Sequence, residues 1–275
     1  MPILRFDRAP INIWRTECRR CSADPAARFL LKALTLVMVF SSATPPALAQ
    51  KQKETEIARV ESAFAGRSLR EIFVALTAIR PDPVSRSDKS ELMSDLPLVT
   101  AGNRVEDHRQ LDRLRSRLEP TLKFYARYGV VDLILFRDPR PIVYSKPGVV
   151  VVISTEVMKI VGDDDAALAG IIAHELAHEY VALQMLHALR SKDLTMIREL
   201  ELFCDAVAVV VLLDLGLDPA CYGRALRLMA MHSQASAQLN NGSRTHPAID
   251  ARLKVISDIS DLPRSQTFVT LLPNR

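Results

Sequence analysis

The sequence predicts an α+β fold, mainly helical with a small β-sheet. Three observations lead there. Apolar residues recur at three- and four-residue spacing through most of the chain. Two short β-branched runs, Val130 to Phe136 and Val149 to Ile153, interrupt that period near the middle. Helix-start and helix-stop residues cut the remainder into segments of ordinary helix length. Of 275 residues, 48% are hydrophobic and 25% charged, which is the profile of a globular chain with enough apolar material for a core.

Residues 1–49 read as a targeting segment. A basic stretch leads into the apolar run Ala33 to Phe40, then the breakers Pro45 and Pro46, then Ala47-Leu48-Ala49 before Gln50, so a signal peptidase cut is expected after Ala49. The run from Phe29 to Phe40 contains Lys32 and falls short of the roughly 20 residues that span a bilayer, and no later transmembrane candidate follows. The mature chain is therefore expected in the periplasm or outside the cell. The segment holds seven of the 36 Lys/Arg and three of the 32 Asp/Glu, leaving 29 of each sign in the mature part. Without a standing cationic excess, a nucleic-acid partner is not expected. Cys18 and Cys21 fall in the part to be removed. Cys204 and Cys221 remain, either as a disulfide or, for Cys204, as a small buried hydrophobe in an apolar helical run.

Residues 50–104 form an N-terminal helical and loop segment. Ile57, Val60, Phe64, Leu69, Ile72, Phe73 and Leu76 suggest helix, and the Pro-, Ser- and Asp-rich residues 81–104 suggest loop. Residues 105–262 form the main domain, followed by a tail, 263–275. In that domain Leu111, Leu114, Leu118, Leu122 and Tyr125 line one helix face, ended by Gly129. Two or three strands come next, then a short helix, Thr155 to Val161. The acids Asp163, Asp164 and Asp165 precede a long helix from Ala166 to Arg190, where capping is favoured over cation binding as their use. The turn Ser191 to Asp193 leads to a helix from Leu194 to Leu215, whose run Ala206 to Leu213 is too short to cross a membrane and reads as buried core. Gly216 stops it, Asp218-Pro219 starts another helix, and the last runs from Pro247 to Ile259 after the Asn240-Asn241-Gly242 loop. Met229 and Met231 read as core filling.

The chemistry centres on His174-Glu175-Leu176-Ala177-His178, an HExxH inside a helix. The helical turn sets His174 and His178 one above the other, so two imidazole nitrogens can converge on one Zn²⁺ with Glu175 beside them as a base. A catalytic zinc needs a third ligand. Val181 and Gln184 stand where the extended metzincin motif needs Gly and His, so the ligand is sought on the next helix. Glu201 is favoured over Glu199, because Asp205, one turn beyond Glu201, is placed to orient a zinc-bound His through its other ring nitrogen. His187 points away from the metal, and His108 and His232 read as solvated.

HELAH, then Glu201-Leu-Phe-Cys-Asp205-Ala, then Gly216-Leu-Asp-Pro219, then Thr245-His246-Pro247 with Arg252 downstream, resembles the zinc metallopeptidase family of the heat-shock protease HtpX and the CAAX prenyl proteases. Tyr144-Ser-Lys-Pro147-Gly148 and the valines after it resemble that family's strand upstream of the zinc helix. The family's second Gly is Val149 here, and its Asn-Ala before the Pro is absent. The resemblance covers roughly residues 105–260 and implies a zincin-like metallopeptidase domain with one zinc on His174, His178 and Glu201 and with Glu175 as base. It also implies a soluble exported branch acting on unfolded or misassembled polypeptides of the cell envelope. His246 and Arg252 are candidates to assist the polarised carbonyl, with Arg252 also a candidate support behind the ligands. His246 would either reach the open zinc position, stabilise the oxyanion, or cap the last helix. In zincins an extended peptide lies along a strand edge, for which Val149, Val150, Val151, Val152 and Ile153 are the candidates, unless that strand is interior. The competing function is a zinc-stabilised, chaperone-like module that binds unfolded envelope proteins without cutting them.

Overall fold

The computed structural model describes residues 46–65, 69–78, 84–232 and 245–261. The targeting segment up to residue 45, the Cys18/Cys21 pair, the Asn240-Asn241-Gly242 turn and the 263–275 tail lie outside the described residues. The helices among them are α1 (Pro46–Phe64), α2 (Leu69–Ala78), α3 (Arg86–Met93), α4 (His108–Phe124), α5 (Thr155–Val161), α6 (Asp165–Ser191), α7 (Leu194–Asp214), α8 (Pro219–His232) and α9 (Ile249–Ser260). The strands β1 (Asp132–Phe136), β2 (Val143–Lys146) and β3 (Val150–Ser154) lie between α4 and α5. The architecture is mainly helical with one small sheet, in keeping with an α+β class.

Most helix boundaries follow from the capping residues. Asp164 accepts from Ala167 N at 2.9 Å to start α6, and Asp218 accepts from Ala220 N at 2.9 Å beside Pro219, the first residue of α8. Where a loop is expected over 81–104, α3 forms instead. It buries no residue, so apolar periodicity is silent there; Ser85 starts it by accepting from Asp88 N at 3.2 Å. The expected cleavage point at Ala49 lies in the first turn of α1. Its buried apolar residues Ile57, Val60 and Phe64 come later, and Phe64 meets Phe203 of α7 at 5.6 Å between ring centroids.

The strand order is β1-β3-β2, with β3 parallel to β1 and antiparallel to β2. The expectation that Val149 to Ile153 form an exposed edge is therefore overturned. Val150 to Ile153 lie in the central strand and Val149 immediately before it, and all five are 0% exposed. Consecutive β-branched residues without polar alternation mark a strand covered on both faces. Val151 and Ile153 face the main helical core; Val150 and Val152 face a smaller cluster under Leu92, Met93, Leu96 and Val99. The outer side of β1 is partly closed by a bridge between Arg104 and Phe136. Among the described residues no strand pairs with the far side of β2, which is the open edge.

Helices α6 and α7 form an αα-hairpin turned through Lys192, which adopts a left-handed φ of 57°. The run Ala206 to Leu212 of α7 is buried, as expected of a core helix. No helix among the described residues is long and apolar enough to cross a membrane. Cys204 and Cys221 are both free thiols, so the disulfide alternative does not hold. Met229 packs on the core, but Met231, two residues on and so on the other side of α8, is exposed.

Candidate metal centre

His174 and His178 stand one turn apart on α6, with ring centroids 5.1 Å apart and planes at 88°. Glu201 faces them from α7. His174 Nε2 lies 3.5 Å from Glu201 Oε2 and His178 Nε2 lies 3.8 Å from Glu201 Oε1, so each carboxylate oxygen addresses one imidazole. One ligand atom from each residue lies within 4.8 Å of the others, and the three residues can hold a metal ion. The donor set fits that role. Glu201 Oε2 is buried without a hydrogen-bond donor among the described residues, a state that costs about 1–3 kcal/mol unless a cation meets it. Two imidazoles and a carboxylate are also an established ligand set for catalytic zinc.

Electrostatics divide the two histidines. Burial works against a charged His174, yet the Asp205 carboxylate, and then Glu201, push its pKa up to about 9. For His178 burial prevails, with the neighbouring His174 and His246 acting in the same direction, and the pKa falls; its Nδ1 lies 3.6 Å from the Cys204 sulfur. Burial also opposes ionisation of Glu201, but the surrounding His246, His178 and His174 hold its carboxyl well below the usual range.

Asp205 is fully buried and accepts from His174 Nδ1 at 2.8 Å, as the HExxH-plus-carboxylate reading expects. Arg252 grips the same carboxylate through Nε at 2.8 Å and Nη2 at 2.7 Å. This ties its guanidinium to the carboxylate behind the candidate ligands. Glu175 is half-buried beside His178 and makes no side-chain hydrogen bond or ion pair among the described residues; its backbone carbonyl accepts from Ser145 Oγ of β2 at 2.8 Å. His246 stands at the rim, its Nε2 3.9 Å from Glu201 Oε2 and its Nδ1 3.0 Å from Thr245 Oγ1. It does not cap α9: the cap position is Ala248. Glu199 pairs with Arg59 away from the cluster, and His187, His108 and His232 are exposed.

Sequence reasoning missed Tyr222, whose hydroxyl donates to Asp205 Oδ1 at 2.6 Å, and Gly170, which lets Tyr222 approach α6. An isolated Gly inside a long helix was the one signal available for this contact. It also missed Glu179, which accepts from Gly148 N at 2.9 Å and pairs with buried Arg127 at 2.7 Å, tying the β2–β3 turn to the HExxH helix. Compared with protein-family models and with curated proteins, the chain finds no match in either.

Proposed function

We propose that the chain is an exported zinc metalloendopeptidase of zincin type, similar to the family of HtpX and the CAAX prenyl proteases, that hydrolyses peptide bonds of unfolded or misassembled envelope polypeptides. The observation that carries this reading is the placing of Glu175. A half-buried carboxylate with no hydrogen bond or ion pair of its side chain among the described residues stands next to a three-donor cluster. A purely structural metal site has no use for such a base.

Zinc held by His174, His178 and Glu201 would supply Lewis acidity to a scissile carbonyl and acidify a water beside it. Glu175 takes the proton of that water and returns it to the leaving amine. Asp205 holds the Nδ1–H of His174, so that Nε2 presents its lone pair to the cluster.

The open edge of β2 supplies a binding line for extended peptide. Ser154 N donates to Ile142 O at 2.9 Å, so in the alternating antiparallel pattern Tyr144 and Lys146 also turn their main-chain groups toward β3. Val143 and Ser145 turn theirs outward, and Ser145 is the residue bonded to the carbonyl of Glu175. Export fits the packing of α1, since removal of residues up to Ala49 leaves its buried Ile57, Val60 and Phe64 in place.

The test is digestion of casein by the chain from Gln50 onward, with and without chelator, beside Glu175→Gln. Chelator is expected to abolish cleavage and zinc to restore it, while Glu175→Gln keeps zinc and fold but retains less than a few per cent of the rate. Cleavage by Glu175→Gln near the wild-type rate would refute the mechanism. Zinc binding with capture of unfolded casein, but no cleavage by the wild type, would assign the non-cutting binding module instead.

A further inference from the structure

We infer that Tyr222 is a positioning residue for the metal, holding His174 in its ligating orientation through Asp205, and that Gly170 is the socket that admits it. The inference rests on the metal-centre reading above but not on peptidase activity. Four helices meet at Asp205: it stands on α7, His174 on α6, Tyr222 on α8 and Arg252 on α9. Its Oδ1 accepts from His174 Nδ1 at 2.8 Å, from Arg252 Nη2 at 2.7 Å and from the Tyr222 hydroxyl at 2.6 Å; Oδ2 accepts from Arg252 Nε at 2.8 Å. Arg252 Nη2 also donates to the Tyr222 oxygen at 3.1 Å. The hydroxyl thus donates to Asp205 and accepts from Arg252, closing a ring of three side chains behind one metal-binding imidazole.

Each member of the ring has a separate task. Arg252 supplies the positive charge that balances the buried carboxylate, and its fork fixes the carboxylate plane. Tyr222 adds a further anchor, because it reaches Oδ1, the oxygen that His174 uses, from a different helix. Without the hydroxyl the carboxylate, and the imidazole hydrogen-bonded to it, lose a fixed orientation toward Glu201 and His178.

Gly170 makes the approach of Tyr222 possible. It lies one turn before His174 on the same face of α6. A Cβ at position 170 would stand 2.6 Å from Tyr222 Cβ and 2.7 Å from its Cγ, so a side chain there would have to push α8 away. Glycine weakens a helix interior, and this contact gives the substitution a return: it puts the Tyr222 ring against the helix that carries the ligands.

A tyrosine that merely filled the core would contribute stability and nothing to the metal. Zinc affinity by chelator competition, the visible spectrum of the cobalt-substituted protein, and unfolding of the metal-free chain separate the two roles. Tyr222→Phe is expected to lower zinc affinity about 10- to 100-fold and to alter the cobalt spectrum. Gly170→Ala is expected to lower zinc affinity at least as much. Tyr125→Phe serves as the control, since it also removes a buried hydroxyl, one that donates to Ala173 O at 2.8 Å, without touching Asp205. It should lose stability while keeping wild-type zinc affinity and spectrum. A Tyr222→Phe protein that is less stable but has wild-type zinc affinity and cobalt spectrum overturns the inference alone. A wild-type chain that binds neither ion overturns the metal-centre reading as well.

Discussion

Arg59 and Glu199 form an ion pair that joins α1 to the outer side of α7, whereas Glu201, two residues along, lies on the side that faces His174 and His178. Two residues on a helix are about 200° apart, so the two carboxylates cannot serve the same site. Glu199→Ala should therefore keep a full equivalent of metal and lose no more than about 1 kcal/mol of stability, the range of a partly exposed pair. His174→Ala, His178→Ala and Glu201→Ala should each lose the metal, read by elemental analysis after dialysis. An empty Glu199→Ala beside a loaded Glu201→Ala would reverse the ligand assignment.

The sheet separates two prolines. Val151 sits in β3 between two partner strands, opposite Leu133 and Ser145, so Val151→Pro removes a ladder hydrogen bond in the core of the sheet and should unfold the domain. Val143 turns its N–H outward on the open edge, where proline is tolerated. Val143→Pro should keep a wild-type circular dichroism spectrum and raise KM up to about tenfold, the loss of one main-chain hydrogen bond to substrate. A Val143→Pro enzyme with unchanged KM would mean that the peptide does not pair along β2.

What the sequence makes legible follows from how local each signal is. His174, Glu175 and His178 are set by one helical turn, and Glu201 and Asp205 by another, so spacing alone brings the candidate ligands and Asp205 to faces that meet. The order of the strands is not local. The valine run of β3 suits a doubly covered strand, but β2 is only Val-Tyr-Ser-Lys, too short and polar to announce the edge that makes β3 interior. Tyr222 and Gly170 are joined only by the crossing of α8 over α6, which no spacing within either helix encodes.

The same non-local logic puts Glu179 in a buried network of 52 residues' reach. Its Oε2 takes Arg127, which is 2% exposed, at 2.7 Å, and its Oε1 takes the backbone N–H of Gly148, where φ is +71° at the β2–β3 turn. Glu179→Gln keeps the shape but withdraws the charge that balances a buried guanidinium, so it should destabilise by about 3–5 kcal/mol in denaturant unfolding. Metal stoichiometry of the fraction that stays folded should remain at one, because Glu179 makes no contact with the three ligands among the described residues. A loss under about 1 kcal/mol would show that Arg127 is balanced elsewhere.

His246 stands at the rim of the candidate metal centre, against Glu201. Ala248 caps α9 without a side-chain bond, so His246 is not the cap of that helix. The ring is half exposed, is steadied at Nδ1 by Thr245, and directs Nε2 at Glu201 Oε2, the same oxygen that faces His174. An imidazole aimed at a ligand oxygen is better placed to take the remaining metal position than to stand beside a substrate carbonyl. His246→Ala is therefore expected to cleave casein faster than wild type and with less selectivity, while binding zinc more weakly. A fall of about 10² in kcat at unchanged zinc affinity would instead make His246 the oxyanion donor. A variant with wild-type rate, selectivity and zinc affinity would remove it from the site.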